Sequence, residues 1–116
     1  MDRSPLTFLI IALLALPAMA KELVTPNISI PPERVVEIQL RALQQNDNPW
    51  RGFGIAQTWA FAHPNNKRMT GPIERFSAMI NGPHYQMMLN HREHTITSVA
   101  LTENYALFDV YIVTDS

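Results

Sequence analysis

The spacing of apolar residues changes once along this chain, at Asn81-Gly82-Pro83, and this change limits the possible folds more than any other feature. Before it, apolar residues recur at helical spacing. After it, they alternate with polar residues, as in half-buried strands. Glycine and proline at the boundary end a helix and prevent its continuation. Helices followed by strands predict an α+β domain with an antiparallel sheet.

The first predicted helix covers residues 31–46, "PPERVVEIQLRALQQN". Proline is tolerated in its first turn, because that amide has no partner within the helix. Glu37 lies four residues before Arg41 on the polar arc, a spacing that favours an ion pair. The apolar arc is wide, which predicts a helix that lies in a concave sheet and is covered on more than one side. The arc consists of Val35, Val36, Ile38, Leu40, Ala42 and Leu43.

A second helix is predicted over residues 51–62, "RGFGIAQTWAFA", although Gly52 and Gly54 weaken its start. It must end at His63, because the following Pro64 excludes helical geometry for the residue before it. A histidine at that end would interact favourably with the helix dipole, which is the interpretation we favour. The alternative is a general base placed at the end of the helix.

A third helix is predicted to begin after a short crossing. Gly71 can cap it, Pro72 fits its first helical position, and Glu74 lies three residues past the cap. We therefore interpret residues 63–74 as a helix stop, a crossing segment and a helix start, with Phe76 in the core.

Three segments after the boundary alternate as strands do. The first carries Tyr85, Met87 and Leu89, and the second is "HTITSVAL". The third is "YALFDVYIV", residues 105–113, which is rich in β-branched and aromatic residues. Its more apolar face is predicted to point toward the core and consists of Ala106, Phe108, Val110 and Ile112.

The first twenty residues, "MDRSPLTFLIIALLALPAMA", have the pattern of a secretory signal peptide. An apolar run over residues 6–16 precedes Pro17 and the triplet Ala18-Met19-Ala20. This run is shorter than the roughly 20 apolar residues of a spanning helix, which favours cleavage after Ala20 over an uncleaved anchor. We expect an exported protein, periplasmic or secreted, with no stable membrane span after cleavage.

Length and composition limit the function classes. After a leader over residues 21–30, the chain has room for a single domain over residues 31–116. The formal net charge of −1 gives no electrostatic case for binding nucleic acid or an anionic membrane surface. Because the chain has no cysteine, disulfides, thiolate nucleophiles and cysteine metal sites are excluded. We expect no cofactor.

Two histidines in "HREH", His91 and His94, are three residues apart. On a helix they would share a face, but this stretch has strand character, and an odd spacing in a strand sends side chains to opposite faces. The spacing is also not that of the His-Glu-x-x-His zinc motif. We therefore expect a solvated loop here and no metal site.

Asp109 interrupts the last strand and shares a face with Tyr111. If that face lined a pocket, burial would raise the pKa of the carboxyl group and suit it to proton transfer. If the face points outward, Asp109 is an ordinary solvated residue. The stronger apolar character of the opposite face favours the outward position.

The same strand lacks the lysine, proline or bulge with which proteins usually protect a strand edge. Only three residues follow its last position, Val113. We expect it either to pair with an earlier strand that closes the sheet or to associate through its edge as a homodimer or an aggregate.

Three segments, "PPERVVEIQLRALQQND", "FAHPNN" and "TGPIERFSAMI", together resemble a family of uncharacterised exported or organelle proteins. This family is domain of unknown function 4864, within the nuclear-transport-factor-2-like superfamily, and the resemblance runs from about residue 32 to residue 113. It implies a cone in which helices pack in the concavity of a curved sheet, often with an apolar pocket at the open end. It also implies one or two further strands beyond "YIVTDS", so we expect the last strand or strands of the cone to be missing.

The resemblance leaves the function open, because one fold supports many activities. We expect a non-enzymatic domain that binds a small apolar ligand or a protein partner in the cone or at its mouth. We expect the binding residues to be Trp59, His63, Met87, Asp109 and Tyr111. The alternative is a small isomerase- or hydrolase-like enzyme that uses Asp109 or His63 with a tyrosine. The family usually has Phe-Ala-Ser-Pro where this chain has His63 in the third position, which argues against an essential hydroxyl there.

Overall fold

A helical layer precedes a β-hairpin in the computed structural model, which describes residues 22–115. Its elements are α1 (Pro32–Gln44), α2 (Phe53–Ala60), α3 (Pro64–Thr70), α4 (Ile73–Ile80), a 3₁₀-helix (Gln86–Met88), β1 (Glu93–Leu101) and β2 (Ala106–Val113). The predicted α+β class is confirmed. The predicted signal peptide and its cleavage site lie outside the described residues. The cone stays a prediction, because the described sheet has two strands.

The buried core lies within the helical layer. Leu43 of α1, Ile55 of α2, and Phe76 and Ile80 of α4 form one cluster, each at most 8% exposed. Partly buried apolar side chains pack around this cluster and come from Trp59, Met88 and Leu89. The apolar spacing of the three predicted helices is therefore the spacing of the core, and the prediction that Phe76 is buried is confirmed.

Gly54 allows α2 to lie against the end of α1. A Cβ atom at Gly54 would lie 2.4 Å from the carbonyl oxygen of Ala42, closer than any such contact permits. Gly52, at the N-cap of α2, has a φ of +81°, which is also a conformation that favours glycine. The two glycines that weaken α2 by propensity are thus required by its packing and by its entry turn.

The leader is attached to α2 by one buried side chain. Gln57 is 1% exposed, and its amide group makes two hydrogen bonds to the backbone of Val24. Val24 N donates to Gln57 Oε1, and Gln57 Nε2 donates to Val24 O, both at 2.8 Å. This paired arrangement fixes the leader against the helical layer.

The interpretation of residues 63–74 is wrong in one respect, because the crossing segment is itself a helix, α3. His63 does not end α2, which ends at Ala60. It caps the start of α3, with His63 Nδ1 accepting a hydrogen bond from Asn65 N at 3.0 Å. Pro64 occupies the first helical position, where a proline is favoured. Gly71, with a φ of +84°, ends α3 rather than capping the next helix.

The start of α4 is also shifted by one residue from the prediction. Pro72 is its N-cap, and Ile73 is its first helical residue. The backbone oxygen of Pro72 accepts hydrogen bonds from Arg75 N and Phe76 N at 2.9 and 3.0 Å. Glu74 lies in the first turn as expected, where a carboxylate favours the helix dipole.

The predicted strand through Tyr85, Met87 and Leu89 is wrong. This segment is a 3₁₀-helix, in which Met88 N donates to Tyr85 O and Leu89 N donates to Gln86 O. Met88, the last residue of this helix, and the following Leu89 both pack against the core. In a strand their side chains would point to opposite faces.

The two remaining predicted strands form an antiparallel hairpin. The register pairs Thr95 with Tyr111 and Thr97 with Asp109, and it shifts between Ser98 and Ala100. Burial alternates along β2, so that Ala106, Phe108, Val110 and Ile112 are half-buried and the residues between them are exposed. The predicted inward face is correct in orientation, yet none of its residues reaches the fully buried core.

Phe76→Ala is expected to lower the free energy of unfolding by about 3–5 kcal/mol, because removal of a buried aromatic ring leaves a cavity. Pro72→Ala should have little effect, since the first amides of a helix need no partner within it. Both changes are measured by urea denaturation. Met69→Ala is the matched control, because Met69 is 82% exposed. A loss for Phe76→Ala no larger than that of the control would contradict the burial of Phe76.

Candidate functional site

A cleft with a volume of about 990 Å³ lies between α1 and β1. Its walls are one face of α1 and the first half of β1, and its floor includes side chains from α2 and the leader. The lining residues are Val24, Glu33, Arg34, Glu37, Ile38, Arg41, Ala42, Gln44, Gln45, Phe53, Gln57, Arg92, Glu93, His94, Thr95 and Ile96. We call this the α1/β1 cleft.

The wall formed by β1 is the edge of the strand. Residues 92–96 all line the cleft, although neighbouring side chains in a strand point to opposite faces. A run of consecutive lining residues therefore means that the cleft follows the backbone edge. Within residues 22–115, β1 pairs only with β2, so this edge has no strand partner. At its start, Gln44 Nε2 donates to Arg92 O at 2.6 Å and ties α1 to the strand.

The wall formed by α1 carries charges of both signs. Arg34 forms an ion pair with Glu37, three residues along the helix. The predicted spacing of Glu37 and Arg41 therefore does not lead to their pairing. Within residues 22–115, Arg41 has no ion-pair partner, so its guanidinium is available to a bound group.

His94 lines the cleft on its β1 side, and its ring contacts a second histidine, His91. His91 is 3% exposed, and His91 Nδ1 lies 2.7 Å from Met88 O. Because a carbonyl oxygen only accepts, His91 Nδ1 carries a hydrogen and donates it. His91 Nε2 lies 2.8 Å from His94 Nδ1. In the neutral pair His94 Nδ1 therefore donates to His91 Nε2, and His94 Nε2 keeps a free lone pair.

The surroundings of His94 disfavour its protonation. Burial, the neighbouring His91 and the Arg41 guanidinium lower the pKa of His94 below its ordinary value of 6.5, while Glu37 opposes them. The lowered pKa keeps His94 neutral at neutral pH, hydrogen-bonded to His91.

The expectation of a solvated loop at "HREH" is wrong. His91 precedes β1 rather than belonging to it, and Asn90 beside it has a φ of +56°, so the alternation of a strand does not extend to His91. The turn brings the ring of His91 into contact with the ring of His94, with ring centroids 5.0 Å apart. Sequence spacing alone gives no sign of this contact, because it depends on a left-handed residue that is not glycine.

The five residues predicted to bind a ligand lie elsewhere. Trp59 packs against the core, with Lys67 Nζ 4.2 Å from its ring centroid. Trp59 Nε1 is buried without a hydrogen-bond partner among the described residues. His63 is the exposed cap of α3, Met87 is an exposed residue of the 3₁₀-helix, and Asp109 and Tyr111 are exposed on the outer face of β2. None of the five lines the α1/β1 cleft.

A second, smaller cleft of about 430 Å³ lies between the start of α2 and α4. It is lined by Trp50, Arg51, Gly52, Ile55, Ala56, Ile73, Glu74 and Ser77. It also contains none of the five predicted residues. The smaller cleft has neither a strand edge nor a histidine among its lining residues. The α1/β1 cleft is therefore the stronger candidate site.

Residues 22–115 contain no group of three or more histidine, aspartate or glutamate side chains arranged to hold a metal ion. In the same residues no helix is both long enough and apolar enough to cross a membrane.

Comparison with known families identifies the chain. A family model described as a domain of unknown function, DUF4864, matches residues 29–116. The protein belongs to this family, as the resemblance of its three segments predicts. No curated protein and no solved structure matches the chain.

The free energy of unfolding is expected to fall as the pH is lowered from about 7.5 through 6.5 and on to the folded pKa of His94. The reason is that the unfolded chain, in which His94 has its ordinary pKa, binds a proton more readily than the folded chain. His94→Gln should reduce this dependence, as measured by urea denaturation at a series of pH values. His84→Gln, at an exposed histidine, is the control. Equal pH dependence in the two variants would contradict the assignment.

Proposed function

We propose that this protein is an exported binding domain that holds an extended segment of a protein partner in the α1/β1 cleft. The observation that supports it most is the unpaired edge of β1 along one wall of the cleft. Extended segments bind such edges by adding a strand, with backbone hydrogen bonds for affinity and side-chain contacts for selectivity.

The two walls would have different tasks in such a complex. The backbone groups of residues 92–96 would pair with the segment whatever its sequence. The opposite wall, formed by α1, would contact the side chains of the segment. Arg41 suits an acidic side chain, and Ile38 suits an apolar one. His94, on the wall formed by β1, offers a hydrogen-bond acceptor at Nε2 when neutral.

A small apolar ligand is the other expectation, and the cleft supports it less well. Six of its sixteen lining residues are charged: Glu33, Arg34, Glu37, Arg41, Arg92 and Glu93. Pockets for small ligands are mostly apolar with a few placed polar groups. An open cleft with this charge density fits a peptide better. The nuclear-transport-factor-2-like cone, with its apolar pocket, would require further strands around α1.

The enzymatic alternative has less support than binding. Asp109 is exposed on the outer face of the hairpin, and His63 is an exposed helix cap in the other layer of the fold. A general acid or base has to meet its substrate in a site that limits access of water. Neither residue lines either of the two clefts described above.

Export is proposed from the sequence pattern of residues 1–20. When the chain is expressed in a secreting bacterial host, intact-mass analysis of the exported protein should give a chain that begins at Lys21. Ala20→Arg, which places a large charged residue at the cleavage position, should leave the signal peptide attached. An unprocessed wild-type chain in the cytoplasm would contradict the proposal.

Binding of an extended segment is tested by selecting peptides from a random library displayed on phage. Arg41→Glu should weaken binding of the selected peptides at least about tenfold, because it reverses the charge on the α1 wall of the cleft. Arg75→Glu is the matched control: Arg75 is an exposed arginine of α4 that lines neither cleft.

The dissociation constants are measured by isothermal titration calorimetry, and amide chemical shifts locate the bound peptide. Binding should shift the amide signals of residues 92–96 in the wild-type protein. If no peptide is selected, or if both variants bind equally well, the cleft does not bind extended segments.

A further inference from the structure

The hairpin has apolar side chains on both faces but takes no part in the buried core. On its outer face Leu107, Tyr111 and Val113 are 53%, 65% and 40% exposed. On the inner face Phe108, Val110 and Ile112 are only half-buried. Apolar side chains left accessible on a contiguous surface usually mark a site of association.

The edge of β2 that faces away from β1 has no strand partner within residues 22–115. The register irregularity of the hairpin falls in β1, between Ser98 and Ala100, so the edge of β2 is regular throughout. The helix that contacts the hairpin most is α1, and it does so through β1. The β2 side is therefore open to another strand. A hairpin of two strands is marginally stable alone and gains from a third.

A second copy of the chain is the occupant that this edge fits best, for a reason of symmetry. When two identical strands pair in antiparallel direction, a two-fold axis runs perpendicular to the sheet, so outer faces lie beside outer faces. One residue then lies opposite its own copy. The net charge of −1 adds little repulsion between the two chains.

Two registers pair nearly all of β2 with β2 of the second copy. They differ in the residue that lies opposite the charge of Asp109. If residue 109 lies on the axis, Asp109 faces Asp109 of the second copy, and like charges directly opposite destabilise a sheet. If residue 110 lies on the axis, Asp109 faces Tyr111 of the second copy, whose hydroxyl can donate a hydrogen bond to the carboxylate. The second register therefore has the lower energy.

This second register also matches the apolar side chains. Leu107 lies opposite Val113 of the second copy on the outer face, and Phe108 lies opposite Ile112 of the second copy on the inner face. Pairs of aromatic and β-branched side chains of this kind stabilise sheets. Each pair occurs twice because of the two-fold axis, so β2 is complementary to itself over its whole length.

We propose that two copies of this protein associate through β2, in antiparallel register with Val110 on the two-fold axis, to form a continuous four-stranded sheet. The interface uses the edge of the hairpin opposite to the α1/β1 cleft. It therefore does not overlap the cleft, and the proposal does not rest on the binding function proposed there.

The association is tested with the protein isolated after export, without any further truncation. Sedimentation equilibrium over a range of concentrations should give a dimer. In a sample mixed from isotope-labelled and unlabelled chains, intermolecular NOEs should join Asp109 to Tyr111 and Leu107 to Val113. A monomer at all concentrations overturns the proposal. Intermolecular NOEs from Asp109 to Asp109, or from Leu107 to Tyr111, overturn the register.

Variants separate the interface from the stability of the hairpin. Tyr111→Asp places Asp109 opposite a second carboxylate on each side of the axis and should raise the dimer dissociation constant at least about tenfold. Leu101→Asp is the matched control, because Leu101 is an apolar residue of β1 that is 71% exposed and lies outside the interface.

The exchange Asp109→Tyr with Tyr111→Asp restores opposite partners and should restore the dimer to near its original dissociation constant. A structural role of Tyr111 within its own hairpin would not be rescued in this way. A weakened dimer in Leu101→Asp equal to that in Tyr111→Asp, or no recovery in the double variant, overturns the proposed pairing.

Discussion

One buried asparagine joins the three segments on which the rest of the structure depends. Asn46, 6% exposed, follows α1, and its backbone oxygen and its Oδ1 accept hydrogen bonds from Gly54 N and Ile55 N, both at 3.0 Å. Asn46 N donates in turn to Asn90 Oδ1 at 3.0 Å. The start of α2 and the turn before β1 are thus both attached to the end of α1. An apolar residue at Asn46 would leave the buried Ile55 N–H without this acceptor, which is costly in a low-dielectric interior.

The attachment of Asn90 to the end of α1 also determines the shape of the α1/β1 cleft. Asn90 N donates to Leu43 O at 2.8 Å, so the residue that precedes His91 is fixed to the most buried turn of α1. From there β1 leaves beside α1, and the cleft lies between them. Because Gly54 allows α2 to approach Ala42 closely, α1 cannot move away from α2 to close the cleft without opening the core. The distance between the cleft walls is therefore a consequence of core packing.

The sequence predicts the parts of this fold that depend on local periodicity. The apolar arcs of α1, α2 and α4 and the alternation of β2 are visible because each side chain packs in the direction that its own element dictates. The helix α3 is not visible: its seven residues contain no buried side chain and therefore no period. The histidine pair and the cleft are not visible either. Both depend on Asn90 in a left-handed conformation and on contacts between residues about fifty positions apart, such as Gln44 with Arg92.

In the described part of the chain, hydrogen bonds attach the hairpin to the helical layer near the start of β1. Near the start of β1, Gln44, Asn90 and the contact of His91 with His94 attach it, whereas the turn around Thr102 and Tyr105 is stabilised by its own hydrogen bonds. None of its residues is fully buried, so its stability depends on what covers its edges. The two proposed partners use opposite edges, a bound segment beside β1 and a second copy beside β2. Each added strand widens the same sheet. Binding of a segment at the β1 edge should therefore favour binding of a second copy at the β2 edge, with no change in the helical core.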